Sequence, residues 1–377
     1  MTREKIMTRK ATPTDTPELT TLLIGVDAPY NQMRPIQEYY DEFLSLAQTM
    51  NLKYEHSLFI KIRTIDKGLF FTKGKLLDLK KFCDENNIEE VIVSEILTPL
   101  QERNLEDYLN CTVWDREKLI LEIFKKSAIT AEGRIQVEMA EIDFLKSRLS
   151  GKGIDFAQQE GMIGGKGPGE TAKEALKQYF AIQYTRAKKR LETLKQSREV
   201  QRKKRLESNL PLISLVGYTN AGKSSLLNVL TKSQVLVEDK LFATLDITTK
   251  ELYLENKKIG LVSDTVGFIS QLPHHLIEAF KSTLDELKYA SLLLHVIDIS
   301  NNTWQDQIKV VNNTLKELGI DKPILHVFNK IDKLTEQELS LIKLETGDFE
   351  QKVFIHTKDK SGIKELTNFL SKYNFKS

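Results

Sequence analysis

A glycine-rich stretch in the second half of the chain has the residue types that bind phosphate. It reads GYTNAGKS and fits the spacing G-x-x-x-x-G-K-S. Its two glycines let successive backbone N–H groups turn toward phosphate oxygens, Lys223 supplies a positive charge, and the Ser224 hydroxyl is suited to bind Mg²⁺. The residues that this pattern predicts to bind phosphate are Gly217, Tyr218, Thr219, Asn220, Ala221, Gly222, Lys223 and Ser224.

The apolar residues on either side of this stretch supply the elements that must position it. Leu212–Val216 has the composition of a buried strand, and Leu226, Leu227 and Leu230 recur at a helical spacing. A helix that begins at the loop adds the positive end of its dipole to the phosphate site. The strand, the loop and the helix together favour a phosphate-binding loop over a chance match to the pattern.

Two further segments supply groups for a metal ion and for the terminal phosphate. The sequence DTVG follows a predicted strand, so we expect Asp264 to hold Mg²⁺ through water and Gly267 to donate its N–H to the γ-phosphate. The second segment is FATLD (242–246), in the loop before DTVG. Ser224 and Thr244, which lies in this segment, are the predicted metal ligands. Lys223, Thr244 and Gly267 are the predicted catalytic residues. The residues of these segments that we expect to bind the nucleotide are Phe242, Ala243, Thr244, Leu245, Asp246, Asp264, Thr265, Val266 and Gly267.

Two motifs near the end of the chain predict recognition of guanine. The sequence NKID follows the apolar run Ile324–Phe328, and the Asp332 carboxylate can accept paired hydrogen bonds from guanine N1–H and the 2-amino group. Adenine lacks this pair of donors, so Asp332 is the predicted selector of guanine and the chain is predicted to contain a GTP-binding domain. After the last predicted strand, backbone N–H groups of HTK are expected to meet guanine O6. The residues predicted to bind the base are Asn329, Lys330, Ile331, Asp332, His356, Thr357 and Lys358.

Strand-like and helix-like segments divide the 377 residues into three predicted domains and a tail. The polar segment 1–18 is predicted to be disordered, and 19–128 to form a parallel α/β domain. Residues 129–208 carry two apolar stripes at helical spacing, joined by the Gly-rich loop 161–169, and are predicted to form an antiparallel helical hairpin. Residues 209–377 are predicted to form a Ras-like doubly wound sheet, with its ligand at the carboxyl ends of the strands.

The composition excludes several classes of protein. With 40% hydrophobic and 29% charged residues the chain has the composition of a globular protein, and its two cysteines give no disulfide framework. No window of about 18 residues is apolar enough to span a membrane, and the N-terminus lacks the apolar core of a secretory signal. We therefore expect a cytoplasmic protein and a monomer.

Positive charge is concentrated in the second arm of the predicted hairpin. Residues 186–207 contain ten basic and three acidic side chains, a net charge of +7 in a chain whose total is +2. Such a local field favours binding to a polyanion with an affinity that falls as salt rises. The alternative is that these charges form only the solvated face of a long helix.

Several longer stretches resemble the HflX family of ribosome-associated GTPases. In the third domain these are GYTNAGKSS, KLFATLDITTK, DTVGFISQLPHHLIEAFKSTLDEL and LLLHVIDIS. In the first two domains they are LTPLQERNLE (97–106), DREKLILEIF (115–124), QVEMAE (136–141) and GGKGPGE (164–170). The resemblance implies a protein that docks on the large ribosomal subunit, with the Gly-rich loop and basic helix against ribosomal RNA. It also implies a link between the GTP cycle and ribosome dissociation or rescue.

The chain departs from the family pattern at several positions. Lys166 stands where the family usually has Arg, so a planar, stacking cation is replaced by a point charge. His356 replaces the usual Ser of the last motif, whose backbone contacts can persist. Many members continue into a further small C-terminal domain, whereas the resemblance here ends near residue 373.

The residue after Gly267 predicts how fast GTP is hydrolysed. It is Phe268, where Ras-like enzymes have a Gln that orients water, so we expect slow intrinsic hydrolysis that a partner stimulates. Asn220 matches a position that accompanies K⁺ use in related GTPases, which makes K⁺ a hypothetical second cation beside Mg²⁺. Two alternatives stay open: a GTPase acting on another RNA, such as tRNA or an rRNA precursor, and a GTP-gated protein-binding switch.

Overall fold

The computed structural model describes residues 19–31, 35–149, 168–207, 210–231, 240–245, 247–255, 257–273, 276–278, 280 and 284–375, with the side chains of 174–196 described in the long basic helix. The predicted disordered tail, most of the Gly-rich loop including Lys166, and the predicted site residue Asp246 lie outside these residues.

The N-terminal domain is built on a four-stranded parallel sheet in the order β2-β1-β3-β4. Central strand β1 is wholly buried and pairs on both sides, with Leu22 opposite His56 of β2 and Val91 of β3. Such apolar runs are typical of a parallel sheet covered by helices on both faces. Its strands are β1 (Thr21–Asp27), β2 (His56–Lys61), β3 (Glu90–Val93) and β4 (Thr112–Trp114). Its helices are α1 (Ile36–Thr49), α2 (Lys73–Glu85), α3 (Pro99–Leu109) and α4 (Arg116–Ser127).

Two helix starts in this domain follow directly from the local sequence. Thr98 caps α3 in a reciprocal arrangement with Gln101, and Pro99 occupies the first helical position, where its missing N–H is not needed. Asp115 caps α4 by accepting a hydrogen bond from the Lys118 N–H at 2.9 Å. This cap fixes the start of the helix that carries Arg116.

The middle region consists of α5 (Ala131–Arg148) and α6 (Pro168–Glu207). The predicted apolar stripes meet in one cluster, where Ile135 and Met139 of α5 lie with Ala187 and Leu191 of α6. Leu145 has the spacing of the same stripe, but it is 39% exposed and does not belong to this cluster.

The predicted Gly-rich loop was too long at its C-terminal end. Pro168 and Gly169 were expected in the loop, yet α6 begins at Pro168. Pro is favoured at the first position of a helix because its fixed φ suits the helix and its absent N–H has no partner there in any case.

The C-terminal domain has a six-stranded sheet in the order β10-β9-β8-β5-β7-β6. All its pairs are parallel except β6 with β7 at one edge. Its strands are β5 (Leu212–Gly217), β6 (Thr248–Leu254), β7 (Lys257–Asp264), β8 (Leu292–Asp298), β9 (Ile324–Asn329) and β10 (Lys352–Phe354). Its helices include α7 (Lys223–Thr231), α8 (Trp304–Glu317), α9 (Glu336–Glu345) and α10 (Lys364–Lys372). The predicted α/β class, with a doubly wound C-terminal sheet, is confirmed.

The apolar spacing of residues 276–287 predicts a helix before β8. The described residues 276–278, 280 and 284 are helical, and a 3-10 helix follows at Asp285–Tyr289. Short 3-10 segments are common at helix ends. Among the helices that the structure describes, none is both long and apolar enough to cross a bilayer.

A buried histidine in the central strand β8 makes stability depend on pH. His295 is 1% exposed, and burial followed by the neighbouring His326 lowers its pKa to about 3. Its pKa in the unfolded chain is about 6.5, so the unfolded state gains a proton first as the pH falls. Above about pH 6.5 His295 is neutral in both states and the folded state keeps its full stability. Below that pH, protonation of His295 in the unfolded state progressively lowers the free energy of unfolding.

We expect the C-terminal domain to lose about 1.4 kcal/mol of unfolding free energy between about pH 7.5 and about pH 5.5 from this residue alone. Urea unfolding of the wild type and of His295→Leu at both pH values measures it, because the apolar side chain removes the titrating group. An equal loss of stability in the two proteins would contradict the assignment.

Candidate nucleotide-binding site

The predicted phosphate-binding loop connects β5 to α7 at the carboxyl edge of the C-terminal sheet. Gly222 has a φ of +96°, and a Cβ there would lie 2.3 Å from Asn329 Nδ2. A Cβ on Gly217 would lie 2.3 Å from the carbonyl oxygen of Val296 on β8. The backbone path of the loop therefore requires glycine at both positions of the motif.

Lys223 lies buried at the start of α7 and crosses back over the loop. Its Nζ donates to the carbonyl oxygens of Gly217 at 3.1 Å and Tyr218 at 2.7 Å. A Cβ on Gly267 would lie 2.9 Å from the same Nζ, so the ammonium borders the DTVG turn. Burial lowers the pKa of Lys223 to about 8, and the Asp264 carboxylate opposes this shift. The lysine is thus held beside two of the three segments predicted to contact phosphate.

Three oxygen-bearing side chains converge beside Lys223. Ser224 Oγ lies 2.7 Å from Thr244 Oγ1 and donates to Asp264 Oδ2 at 2.6 Å. Thr244 Oγ1 donates to the same Oδ2 at 3.2 Å. Asp264 is completely buried, and its Oδ1 has no hydrogen-bond partner among the described residues. Hard oxygen donors and an unsatisfied buried carboxylate oxygen fit a Mg²⁺ ion, which requires such ligands.

Burial also acts on the charge of this cluster. It raises the pKa of the Asp264 carboxyl, while Lys223, Ser224 and Thr244 counteract the increase by stabilising the ionised form. A cation bound beside the carboxylate would favour ionisation further. The electrostatics of the cluster therefore also suit a divalent metal.

A pocket opens between these segments, and its lining includes two residues that were not among the predicted site residues. Ser225 follows the phosphate-binding motif on α7, and Lys240 precedes the loop that carries Thr244. Lys240 adds a second cation to the lining; it begins the stretch KLFATLDITTK, but the spacing of the phosphate and metal motifs gave it no role. The residues that line the pocket are Thr219, Asn220, Gly222, Lys223, Ser224, Ser225, Lys240, Phe242, Ala243, Thr244 and Gly267.

The first two residues of the NKID motif support the phosphate-binding loop from outside the pocket. Asn329 Nδ2 donates to the Ala221 carbonyl oxygen at 2.9 Å, and Lys330 Nζ donates to the Asn220 carbonyl oxygen at 2.9 Å. Lys330 also pairs with Asp298 at the end of β8, at 2.6 Å. Asp298 lies in the stretch LLLHVIDIS but was not among the predicted site residues. These contacts connect the NKID motif to the phosphate-binding loop.

Asp332 and the last predicted motif lie together at the ends of β9 and β10. Asp332 Oδ2 is 2.8 Å from Lys358 Nζ, and the backbone N–H of Ile331 donates to the Ile355 carbonyl oxygen at 3.3 Å. Burial alone would raise the pKa of Asp332, but Lys358 and nearby charges hold it below its usual value. The carboxylate is therefore ionised, as an acceptor for guanine must be. Thr357 lies between Lys358 and the half-buried His356.

The remaining predicted residues form the backbone frame of the site. Thr265 Oγ1 donates to the Leu215 carbonyl oxygen at 2.7 Å, which ties the DTVG turn to β5. The side chains of Leu245 and Val266 are buried in a hydrophobic cluster that also contains residues of the N-terminal domain. They shape the loops around the pocket, whereas Thr244 and Gly267 line it.

Comparison with known proteins assigns this geometry to a family. Three family models match consecutive parts of the chain, described as GTP-binding GTPase N-terminal (37–125), GTP-binding GTPase Middle Region (127–205) and 50S ribosome-binding GTPase (212–330). The GTPase HflX of Caldanaerobacter subterraneus subsp. tengcongensis is 41% identical over 341 residues, which cover 90% of this chain and 78% of that protein. The chain belongs to the GTPase HflX family.

Other HflX proteins show the same extent of similarity. The GTPase HflX of Escherichia coli K12 is 39% identical over 303 residues, 80% of this chain and 71% of that protein. Among solved structures, a GDP complex of the protein SsGBP shares the fold, with a TM-score of 0.50, 23% identity, and coverage of 94% of this chain and 98% of that one. The protein is thus an HflX-type GTPase, and it binds and hydrolyses GTP.

Proposed function

We propose that this HflX GTPase binds the large ribosomal subunit in its GTP form and couples the GTP cycle to ribosome dissociation or rescue. The observation that carries the proposal is the match of 212–330 to a family model described as 50S ribosome-binding GTPase, in a chain that also bears a basic helix. Ribosome binding would also place the protein in the cytoplasm.

The exposed face of α6 supports contact with RNA. Ala187 and Leu191 bury one side of the helix against α5, while Arg186, Lys188 and Lys189 are exposed. A helix of 40 residues is about 60 Å long, so it offers a long surface to a polyanion. Such a row suits the phosphate backbone of ribosomal RNA.

We further propose roles for the site residues in GTP hydrolysis. Ser224 and Thr244 would ligate Mg²⁺ and Asp264 would hold it through water, and the ion would neutralise charge on the β- and γ-phosphates. Lys223 would stabilise the charge that develops on the same oxygens, and Gly267 would donate its N–H to the γ-phosphate. Phe268 is buried and apolar, which supports slow hydrolysis until a partner orders the site.

A K⁺ ion beside Asn220 is a further hypothesis about the same reaction. It would supply positive charge next to the β- and γ-phosphates, where other GTPases use an arginine finger. Hydrolysis rates measured in K⁺ and in Na⁺ at equal ionic strength test it. Equal rates would show that K⁺ takes no part in hydrolysis.

Replacing Lys188, Lys189 and Lys195 by Ala is expected to weaken binding to large subunits about tenfold or more, and to lower the salt dependence of binding. Co-sedimentation with purified subunits in the presence of a non-hydrolysable GTP analogue measures it. The matched control replaces three exposed lysines of the C-terminal domain, Lys316, Lys364 and Lys372, and should bind as the wild type does.

Unchanged subunit binding by the α6 variant would contradict the RNA contact and favour a GTP-gated protein-binding switch. Binding to tRNA or an rRNA precursor in preference to mature subunits would favour the other alternative. Direct support would come from subunit separation: addition of the GTP-bound protein to intact ribosomes should increase the free subunits seen in a sucrose gradient.

A further inference from the structure

Glu42 of the N-terminal domain contacts two segments that form the nucleotide site of the C-terminal domain. Glu42 lies on α1, and its side chain is only 9% exposed. Its Oε1 accepts a hydrogen bond from Ser270 Oγ at 2.6 Å, and its Oε2 accepts one from the Tyr218 hydroxyl. Tyr218 belongs to the phosphate-binding loop, and Ser270 follows Gly267 by three residues. Glu42 therefore contacts the phosphate-binding loop and the segment after Gly267 at the same time.

Tyr218 and the backbone close this network from the other side. The Tyr218 hydroxyl accepts a hydrogen bond from the Ser270 backbone N–H at 2.6 Å. Phe268 N–H donates to the Gly217 carbonyl oxygen at 3.1 Å, so the two segments also pair through their main chains. Burial, followed by the Glu42 charge, raises the pKa of Tyr218 well above its usual value. The phenol therefore remains protonated and donates to Glu42.

Arg116 balances the charge of Glu42. It is completely buried on α4, and its Nη2 lies 2.5 Å from Glu42 Oε1 and donates to the Ser270 carbonyl oxygen at 3.2 Å. The guanidinium stacks over Tyr39, whose hydroxyl donates to Gln271 at 3.0 Å. This buried ion pair favours the arrangement in which the two domains are in contact, because separating Arg116 from Glu42 inside the protein would leave a buried charge without a partner.

The N-terminal domain also contacts the loop that carries Thr244. Phe242 has a φ of +56° and packs edge-on against Phe124 of α4, with ring centroids 4.7 Å apart. The Leu241 N–H donates to Thr49 Oγ1 at 3.1 Å. The same loop holds Thr244 beside Ser224 and Asp264, which is the closed arrangement that a metal and a γ-phosphate require.

We propose that the N-terminal domain recognises the closed, GTP-bound arrangement of the site, with Glu42 as a positioning residue that ties Tyr218 to Ser270. The contacts to Leu241, Phe242, Ser270 and Gln271 are made to the segments beside Thr244 and Gly267, whose order depends on the γ-phosphate. A contact that is complete in only one arrangement stabilises only that arrangement. By linkage, docking of the domain favours GTP over GDP, and GTP favours docking to the same extent. The inference rests on GTP binding and is independent of the ribosome.

The Glu42→Gln variant tests this by removing the charge that ties Tyr218 to Ser270. Its affinity for a fluorescent, non-hydrolysable GTP analogue should fall about tenfold, while its affinity for fluorescent GDP should change less than about threefold. Tyr218→Phe should shift the ratio of the two affinities in the same direction. Both are measured on the full chain with Mg²⁺ present and without ribosomes, so the result does not depend on the ribosomal role.

The matched control is Glu38→Gln, on the same helix and at the same interface. Glu38 accepts a hydrogen bond from Asn301 at 3.3 Å, and that contact does not reach the loops of the site. This variant should leave the ratio of GTP and GDP affinities unchanged. A merely structural role for Glu42 and Tyr218 would instead lower both affinities by the same factor, and that result would overturn the proposal.

Hydrogen–deuterium exchange supplies a second readout that does not rely on affinity. In the wild type, the GTP analogue should protect α1 and α4 more strongly than GDP does, and Tyr218→Phe should abolish the difference. Equal protection of α1 and α4 in the two nucleotides would show that docking is insensitive to the γ-phosphate and would also overturn the proposal.

Discussion

Asp332→Asn is expected to lower the affinity for GTP about 10³-fold and to create affinity for xanthosine triphosphate. The ionised Asp332 accepts two hydrogen bonds from guanine N1–H and the 2-amino group. Asparagine offers one acceptor and one donor, so its NH₂ group would face the 2-amino group of guanine without a partner. Xanthine has an oxygen at this position and restores both hydrogen bonds.

Competition with fluorescent GDP measures both affinities for the variant and the wild type. Asp348→Asn is the matched control, because Asp348 is exposed in the same domain and away from the pocket. It should behave as the wild type does. An Asp332→Asn protein that still prefers GTP would show that the end of β9 does not select the base.

Lys223→Ala is expected to lower the rate of GTP hydrolysis about 10³-fold. The buried ammonium lies beside Gly267 and the phosphate-binding loop, where it can stabilise the charge on the β- and γ-phosphates in the transition state. In the variant, water in the buried site would stabilise this charge less well than the fixed ammonium group does. The loss should persist at saturating GTP, since it affects the transition state more than the ground state.

Single-turnover hydrolysis with an excess of protein over GTP measures this rate. Lys316→Ala on the exposed side of α8 is the matched control, and thermal unfolding confirms that both variants are folded. A decrease of less than about tenfold, equivalent to about 1.4 kcal/mol of barrier, would contradict the catalytic role of Lys223.

Much of the site was predictable because its parts are local in sequence. Strands β5, β7 and β9 could be read from apolar runs, and each of the motifs GYTNAGKS, DTVG and NKID begins at the end of one of them. Parallel strands bring such ends to one edge of a sheet, so the proximity of Ser224 and Asp264 follows from the topology.

What the sequence could not predict depends on contacts between distant elements. Asn329 and Lys330 are predicted to bind the base, and their side chains also support the carbonyl groups of the phosphate-binding loop, a contact that no local pattern indicates. Glu42 belongs to no motif, no local pattern pairs it with Arg116, and their partner Tyr218 lies in another domain. A charged side chain that is buried by docking looks, in the sequence alone, like an ordinary surface residue of an amphipathic helix.

The rate of GTP hydrolysis with and without purified large ribosomal subunits, in K⁺ buffer with Mg²⁺, tests the proposed function most directly. We expect slow hydrolysis by the protein alone and a rise of about tenfold or more with the subunits, because a bound partner orders the loops around Thr244 and Gly267. A rate that stays the same while GTP still binds would contradict activation by the ribosome.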